Sequence, residues 1–110
     1  YSQMMESFTD LLLALLEGRD MYGYEMIETL RSRSENVFEL KAGSLYPLLH
    51  TLEANNLVTA YEDDASGKTR KYYHITREGR RILKEKKEEW NTYAAAVTNV
   101  LSCRGAEACV

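Results

Sequence analysis

The sequence predicts a mainly α-helical fold with one small β-hairpin set between its third and fourth helices. Three observations lead there. Apolar residues recur at three- and four-residue spacing in four separate segments. Residues 57–75 instead carry two runs of strand formers on either side of a turn cluster, Asp63-Asp64-Ala65-Ser66-Gly67. With one proline and six glycines, punctuation is sparse, so most of the chain is expected to be regular structure.

The elements follow in order. Residues 4–17 read as a first helix, with Met5, Phe8, Leu12, Leu15 and Leu16 on one side, and Gly18 is expected to end it in the left-handed conformation. Residues 23–33 read as a second helix, with Tyr22, Met26, Ile27 and Leu30 on one face and Asp20 as a nearby N-cap. Phe38, Glu39 and Leu40 form an extended connector. A third helix runs from about Gly43 to Asn55, burying Leu45, Leu48 or Leu49, and Leu52, and leaving Ser44, Tyr46, His50 and Thr51 on the other side. Pro47 requires either a start close to Ser44 or a bend in the axis. Asn55-Asn56 closes this helix, Asn being second to Gly as a left-handed cap. Residues 57–62 and 69–75 make a two-stranded hairpin, which must lie on the helices because a lone hairpin is marginal in water. Thr76 caps a long fourth helix reaching about Ser102, on which Leu83, Trp90 and Val97 stand seven apart, with Tyr93 and Val100 on the adjoining positions. Such a narrow apolar seam suits pairing with another helix. The expected organisation is therefore a helical unit with its hairpin over residues 1–75, a helix suited to dimerisation over 76–103 and a frayed tail over 104–110.

Composition narrows the function classes. A second full core would need roughly 100 more residues than the 110 present, so one domain is expected. Apolar types make up 45% and charged types 28%, which argues against a disordered chain. The longest unbroken apolar run, residues 11–16, is far short of the ~20 that span a bilayer, and no secretory leader is visible. The expected compartment is the cytoplasm, with no membrane partner. Cys103 and Cys109 are too few and too close to the C-terminus for a disulfide scaffold, and His50 and His74 lie far from both, so no metal site is expected. No glycine-rich phosphate loop points to a cofactor. Ser44 and His50, six apart on one helix, point to different faces, and no nucleophile–base pair can be read, so an enzyme is not expected.

The net charge is −3, yet residues 66–81 carry six bases (Lys68, Arg70, Lys71, Arg77, Arg80, Arg81) against one acid, Glu78. That asymmetry fits one face meeting a polyanion, and equally fits a solvated surface. Three helices, a hairpin and a further helix is the order of a winged helix-turn-helix. The polar side of the third helix has the width of a DNA major groove, and the basic hairpin tip would reach phosphates or the minor groove.

Four blocks then resemble the PadR-type transcriptional regulators: Leu12-Leu13-Ala14-Leu15-Leu16, Tyr22-Gly23-Tyr24-Glu25, Gly43-Ser44-Leu45-Tyr46-Pro47-Leu48-Leu49-His50-Thr51-Leu52-Glu53, and Arg70-Lys71-Tyr72-Tyr73-His74-Ile75-Thr76-Arg77-Glu78-Gly79-Arg80. The likeness covers residues 11–90 and is closest to the small-tailed subgroup; Asn56 stands where members often carry Gly. The resemblance implies a homodimeric repressor that binds double-stranded DNA, a palindromic operator, and dimerises through the fourth helix. It also implies a ligand that relieves repression, a phenolic acid or, in one subgroup, a flat aromatic drug held between paired tryptophans.

On this reading the DNA contacts are Lys41, Ser44, Tyr46, His50, Thr51, Lys68, Arg70 and Lys71. Tyr46 either touches a phosphate or base edge or packs on the wing. Tyr72 and Tyr73 point to opposite faces of the hairpin, one inward. The dimer seam is Leu83, Trp90, Tyr93, Val97 and Val100. Trp90 either anchors that seam or stacks on a planar ligand, in a pocket with Tyr93, Met5 and Phe8, Met4 lying nearby. The alternative function is a winged-helix module that binds protein and not DNA.

Overall fold

The computed structural model describes residues 8–64 and 67–102. The elements are α1 (Phe8–Gly18), β1 (Met21–Tyr22), α2 (Gly23–Arg33), α3 (Ala42–Ala54), β2 (Val58–Asp63), β3 (Arg70–Ile75) and α4 (Arg77–Leu101). Residues 4–7 of the expected first helix, with Met4 and Met5, lie outside the described residues, as do Ala65-Ser66, both cysteines and the tail over 104–110.

The apolar run of α1 explains its place. Leu12, Leu13, Leu15 and Leu16 are all buried, and a helix apolar on most sides belongs at the centre of a fold. α1 packs on α2, α3, α4 and β3. α3 adds Leu45, Leu49 and Leu52, the wing adds Val58, Tyr73 and Ile75, and α4 adds Leu83. Of the two expected alternatives at the middle of the α3 stripe, Leu49 is the buried one and Leu48 is half-buried.

Both α2 and α3 end in left-handed residues without glycine. Asn56 has φ 60°, its N–H donates to the Glu53 carbonyl (3.0 Å), and the Leu57 N–H donates to the Leu52 carbonyl (2.9 Å). Glu35 and Asn36 do the same for α2, with φ 52° and 69° and the Asn36 N–H donating to the Arg31 carbonyl at 2.8 Å. This paired arrangement satisfies the last carbonyls of each helix.

Several expectations are corrected. Gly18 does not take a left-handed φ, that region being occupied among the described glycines by Gly67 (φ 85°). The chain instead leaves α1 through Arg19-Asp20 directly into β1, and β1 turns the hairpin into a three-stranded antiparallel sheet of order β1-β3-β2. Met21 pairs with Tyr73 and Tyr22 with Tyr72. Because Met21 and Tyr22 are drawn into that strand, Asp20 stands too far back to cap α2. Tyr22 is the N-cap, and its N–H donates to Glu25 Oε1 at 3.2 Å. α3 starts at Ala42, so Pro47 lies in its second turn, where the missing N–H leaves the Gly43 carbonyl without its usual helical donor.

α4 begins as expected: Thr76 Oγ1 accepts from the Gly79 N–H at 3.0 Å. Its 25 residues span about 37 Å, and past Leu83 none is buried. Leu83 itself has no exposed surface and belongs to the protomer's own core, so it is not part of a seam for a second chain. Heptad spacing from Trp90 put it on the right side of the helix but could not tell which neighbour that side meets there. The next turns lean on α1. Asp10 is buried at α1, where burial pushes its carboxyl up against the opposing charge of Lys86, and Glu17 pairs with Lys87.

Gly79 is the tightest point of this packing. A Cβ there would lie 2.2 Å from the Leu57 carbonyl oxygen and 2.8 Å from Ile75 Cγ1. Glycine to alanine inside a helix ordinarily stabilises by about 1 kcal/mol. Gly79→Ala is expected to do the reverse, costing about 2–3 kcal/mol through the clash, which urea unfolding monitored by circular dichroism would measure. A midpoint at or above that of the parent would contradict the packing described.

Candidate nucleic-acid interface

α3 is two-sided. Its leucine stripe faces the core, while Lys41, Ala42, Gly43, Ser44, Tyr46, Pro47, His50 and Thr51 are exposed. Lys41 is the N-cap, and its carbonyl accepts the N–H groups of Ser44 and Leu45, both at 2.9 Å. The positive end of the helix dipole, a lysine and two small residues meet at this end, a combination suited to a phosphate. A Cβ added at Gly43 would meet nothing within 4 Å, so the backbone here is open to close approach. Thr51 Oγ1 donates to the Pro47 carbonyl (3.1 Å), within its own helix, and His50 stands exposed beside it.

Tyr46 is half-exposed and packs on the start of α2, close enough to Tyr73 of the wing for the two hydroxyls to interact. A Cβ at Gly23 would fall 2.6 Å from the Tyr46 hydroxyl oxygen and 3.2 Å from Leu45 Cδ2, so glycine at the start of α2 lets α3 approach. The hydroxyl edge is thereby held at the junction of the two helices.

The wing alternates as its register requires. Val58, Ala60, Glu62, Lys71, Tyr73 and Ile75 share the side that meets the core and α3, and Thr59, Tyr61, Asp63, Arg70, Tyr72 and His74 share the outer side. Tyr73 is the inward tyrosine of the adjacent pair. Burial pushes its hydroxyl pKa up, against the opposing charge of Lys71. Lys71 reaches toward α3, its Nζ 3.9 Å from Glu53 Oε1 and 5.6 Å from the Tyr73 ring. Arg70 projects from the opposite face, its guanidinium 4.5 Å above the Tyr22 ring. Lys68 is exposed beside Gly67. Lys41, Ser44, Tyr46, His50 and Thr51 are therefore brought together on α3, with Lys71 next to them, while Arg70 is turned away and Lys68 stands apart toward the tip. Further along the basic run, Arg81 is paired with Glu78 and Glu85, and Arg80 donates to the Glu17 carbonyl at 3.4 Å.

One cluster escaped the sequence reading. The Asp20 carboxylate accepts the Tyr61 hydroxyl at 2.6 Å and lies 2.8 Å from His74 Nδ1, joining the turn after α1 to both long strands. Burial pushes the Asp20 carboxyl up, but the hydrogen bonds from Tyr61 and His74, with the charges of His74 and Arg80, outweigh it and hold the group below the usual carboxylate range. The same bond pushes the Tyr61 hydroxyl up to about 12. Sequence separations of 41 and 54 residues gave no local signal for it.

On α4, Trp90, Tyr93, Val97 and Val100 are exposed along one stripe, joined by Leu101. The Trp90 and Tyr93 rings are 5.9 Å apart and tilted by 39°. A shallow apolar groove of about 340 Å³ runs over Tyr93, Ala96, Val97, Val100 and Leu101. Phe8, expected beside Trp90, meets Phe38 of the α2–α3 connector edge-on at 5.9 Å. Among the described residues no group of three or more His, Cys, Asp or Glu side chains is placed to hold a metal, and no helix is long and apolar enough to cross a membrane.

Residues 12–85 match the transcriptional regulator PadR-like family. The fold is similar to that of a PadR-like transcriptional regulator from Bacillus cereus, with a TM-score of 0.79 and 30% identity over 88% of this chain and 93% of that one. It is also similar to a PadR family transcription regulator from Clostridium difficile, with a TM-score of 0.69 and 38% identity over 84% and 96% of the two chains. A protein of Lysinibacillus sphaericus is 38% identical over 81 residues, 73% of this chain and 74% of that one.

The lowered Asp20 pKa carries a stability consequence of definite sign. A carboxylate that is more acidic in the folded state contributes stability above its ordinary value of 3.8, and that contribution is lost as the pH falls through the lowered value. The stability gap between the parent and Asp20→Asn is therefore expected at pH 7 and should close toward pH 3. Paired urea titrations at the two pH values would show it, and an equal gap at both would contradict the assignment.

Proposed function

We propose, from the premise that this chain belongs to the PadR-like family of transcriptional regulators, that it is a cytoplasmic homodimeric repressor acting on a palindromic double-stranded operator. The observation that carries the reading is the two-sidedness of α3: three leucines fix one face in the core, and the opposite face presents Lys41, Ser44, Tyr46, His50 and Thr51 beside a wing that carries Lys68, Arg70 and Lys71. An α-helix exposed in this way enters the major groove, and Lys68 and Lys71 extend the contact to phosphates. Arg70, held on the outer wing face, would serve the DNA backbone only from the wing's far side.

The stripe of Trp90, Tyr93, Val97 and Val100 supports the second half of the reading. Large apolar side chains aligned on a projecting helix lose water by pairing with a second copy, and each fully covered one contributes about 1.5–3 kcal/mol. Pairing through α4 sets the two α3 helices about one DNA turn, ~34 Å, apart. A small aromatic or apolar ligand relieving repression would enter beside the tilted Trp90–Tyr93 pair. It would shift the dimer only by its differential affinity for the two geometries.

Two measurements test this. In a gel-shift titration on the DNA upstream of the chain's own gene, saturable binding is expected, with affinity falling by more than about 10⁵-fold between 50 and 200 mM salt for ~6 phosphate contacts per protomer, ~12 per dimer. No saturable, salt-sensitive shift would leave the protein-binding module as the better reading. Val97→Glu is expected to convert a sedimenting dimer to monomer and, with it, to abolish quenching of Trp90 fluorescence by planar aromatic dyes. An unchanged dimer would sink the α4 seam, and unchanged quenching in a monomer would sink the interfacial pocket.

A further inference from the structure

The wing is held in two different ways along its length. At its base Val58, Tyr73 and Ile75 are buried in the core. From Tyr61 to Asp63 and from Arg70 to Tyr72 no residue is buried, so apolar packing does not set the posture of the distal half. The β1 ladder reaches β3 only as far as the Tyr22–Tyr72 pair, so beyond it two strands run on without a packed face, an arrangement marginal in water, and other contacts must determine where the tip points.

The outer face supplies it. One carboxylate, Asp20, holds the Tyr61 hydroxyl on β2 (2.6 Å) and His74 Nδ1 on β3 (2.8 Å). The Tyr61 ring stacks on Tyr72 at 5.8 Å and 14°, Tyr72 meets the Tyr22 ring edge-on at 5.4 Å, and Arg70 lies over that same Tyr22 ring. The contacts form an unbroken chain from the turn ahead of α2 to Arg70, which with Asp63 makes the last ladder pair before the tip. On the other face the counterpart is the exposed Lys71–Glu53 pair, at 3.9 Å.

We propose that Asp20 is a positioning residue for DNA binding: it touches no DNA, and it bolts both long strands to the turn before α2 so that the wing tip and Lys68 stand where the α3 surface can use them. The proposal rests on the reading of α3 and the wing as a DNA interface. Its sign separates it from simple electrostatics. Asp20 is an acid close to Arg80 and His74 near a basic surface, so deleting its charge would by itself tighten binding to a polyanion. A positioning role demands the opposite, because the apparent dissociation constant rises in inverse proportion to the fraction of protein whose wing is docked.

The test uses the full chain and the upstream duplex named above. Asp20→Ala is expected to weaken DNA binding about tenfold, as a docked fraction of about one tenth requires. Asp20→Asn keeps an oxygen to accept from Tyr61 and should stay within about threefold of the parent. Amide hydrogen exchange gives a readout independent of DNA: Asp20→Ala should speed exchange along the distal ladder, Tyr61–Asp63 and Arg70–Tyr72, and leave Val58 and Ile75 protected. Equal or tighter DNA binding by Asp20→Ala, or unchanged distal protection, would each overturn the proposal. Failure of the parent itself to bind any duplex would instead overturn the DNA reading, and the exchange data would still decide whether Asp20 holds the wing.

Discussion

The molecule is organised around the backbone at Leu57. Its carbonyl oxygen accepts the Thr76 N–H at 3.0 Å, shares the Thr76 hydroxyl with the Asn56 carbonyl, and occupies the space a side chain at residue 79 would need. Asn56, in the left-handed region, delivers the chain from α3 to this point. Three directions are fixed here together: the end of α3, the first residue of the wing and the first turn of α4. A bond between two backbone groups cannot be rescaled by choosing a longer or shorter side chain, so these directions are tied more firmly than core packing alone would tie them. The exposed face of α3 and the axis of α4 therefore keep a constant relation, which a dimer pairing through α4 requires if two copies of α3 are to meet one duplex.

The two sides of the wing differ in physical character. The inner side is apolar at Val58, Tyr73 and Ile75 and merges with the core. The outer side is polar and aromatic, with each ring on Tyr22, Tyr61 and Tyr72 touching the next. Aromatic contacts of this kind are worth about 0.5–1.5 kcal/mol each, and the exposed pairs around them less. The distal wing is thus held by several modest interactions and not by one large one. Acids and bases are interleaved on this surface: Glu62 stands opposite Lys71 and Asp63 opposite Arg70 in the strand register, and Glu78 and Glu85 pair with Arg81.

Much of the fold is legible in the sequence where the signal is local. α3, the long strands and α4 announce themselves through periodicity, strand-forming residues and the Thr76 cap, and the inward choice between Tyr72 and Tyr73 follows once register is known. β1 is not legible because two residues carry no periodicity, and its strand character comes from pairing with β3, about 50 residues away. Asp20 looks like a helix cap because a carboxylate shortly before a helix usually is one. The competing partners, Tyr61 and His74, become visible only when the sheet forms. Leu83 shows the limit of heptad arithmetic, which assigns a side of a helix but not the neighbour on that side. At the candidate interface, Ser44, Tyr46, His50 and Thr51 could be named as the exposed side of α3 from spacing alone. That Arg70 and Lys71 would part to opposite faces, one on Tyr22 and one toward Glu53, needed the register.

The radius of gyration is 17.2 Å, against about 13 Å for a compact chain of this size. The excess reflects the second half of α4, which stands out from the core beyond its contacts with α1. The free half, residues 88–101, is a rod of about 21 Å held at one end and works as a lever: a tilt of about 5° at its base sweeps the far end through roughly 2 Å. The amplification also runs backward. A wedge inserted near the tip needs only a displacement comparable to an atomic diameter to rotate the whole body by a few degrees, and with it everything mounted on that body.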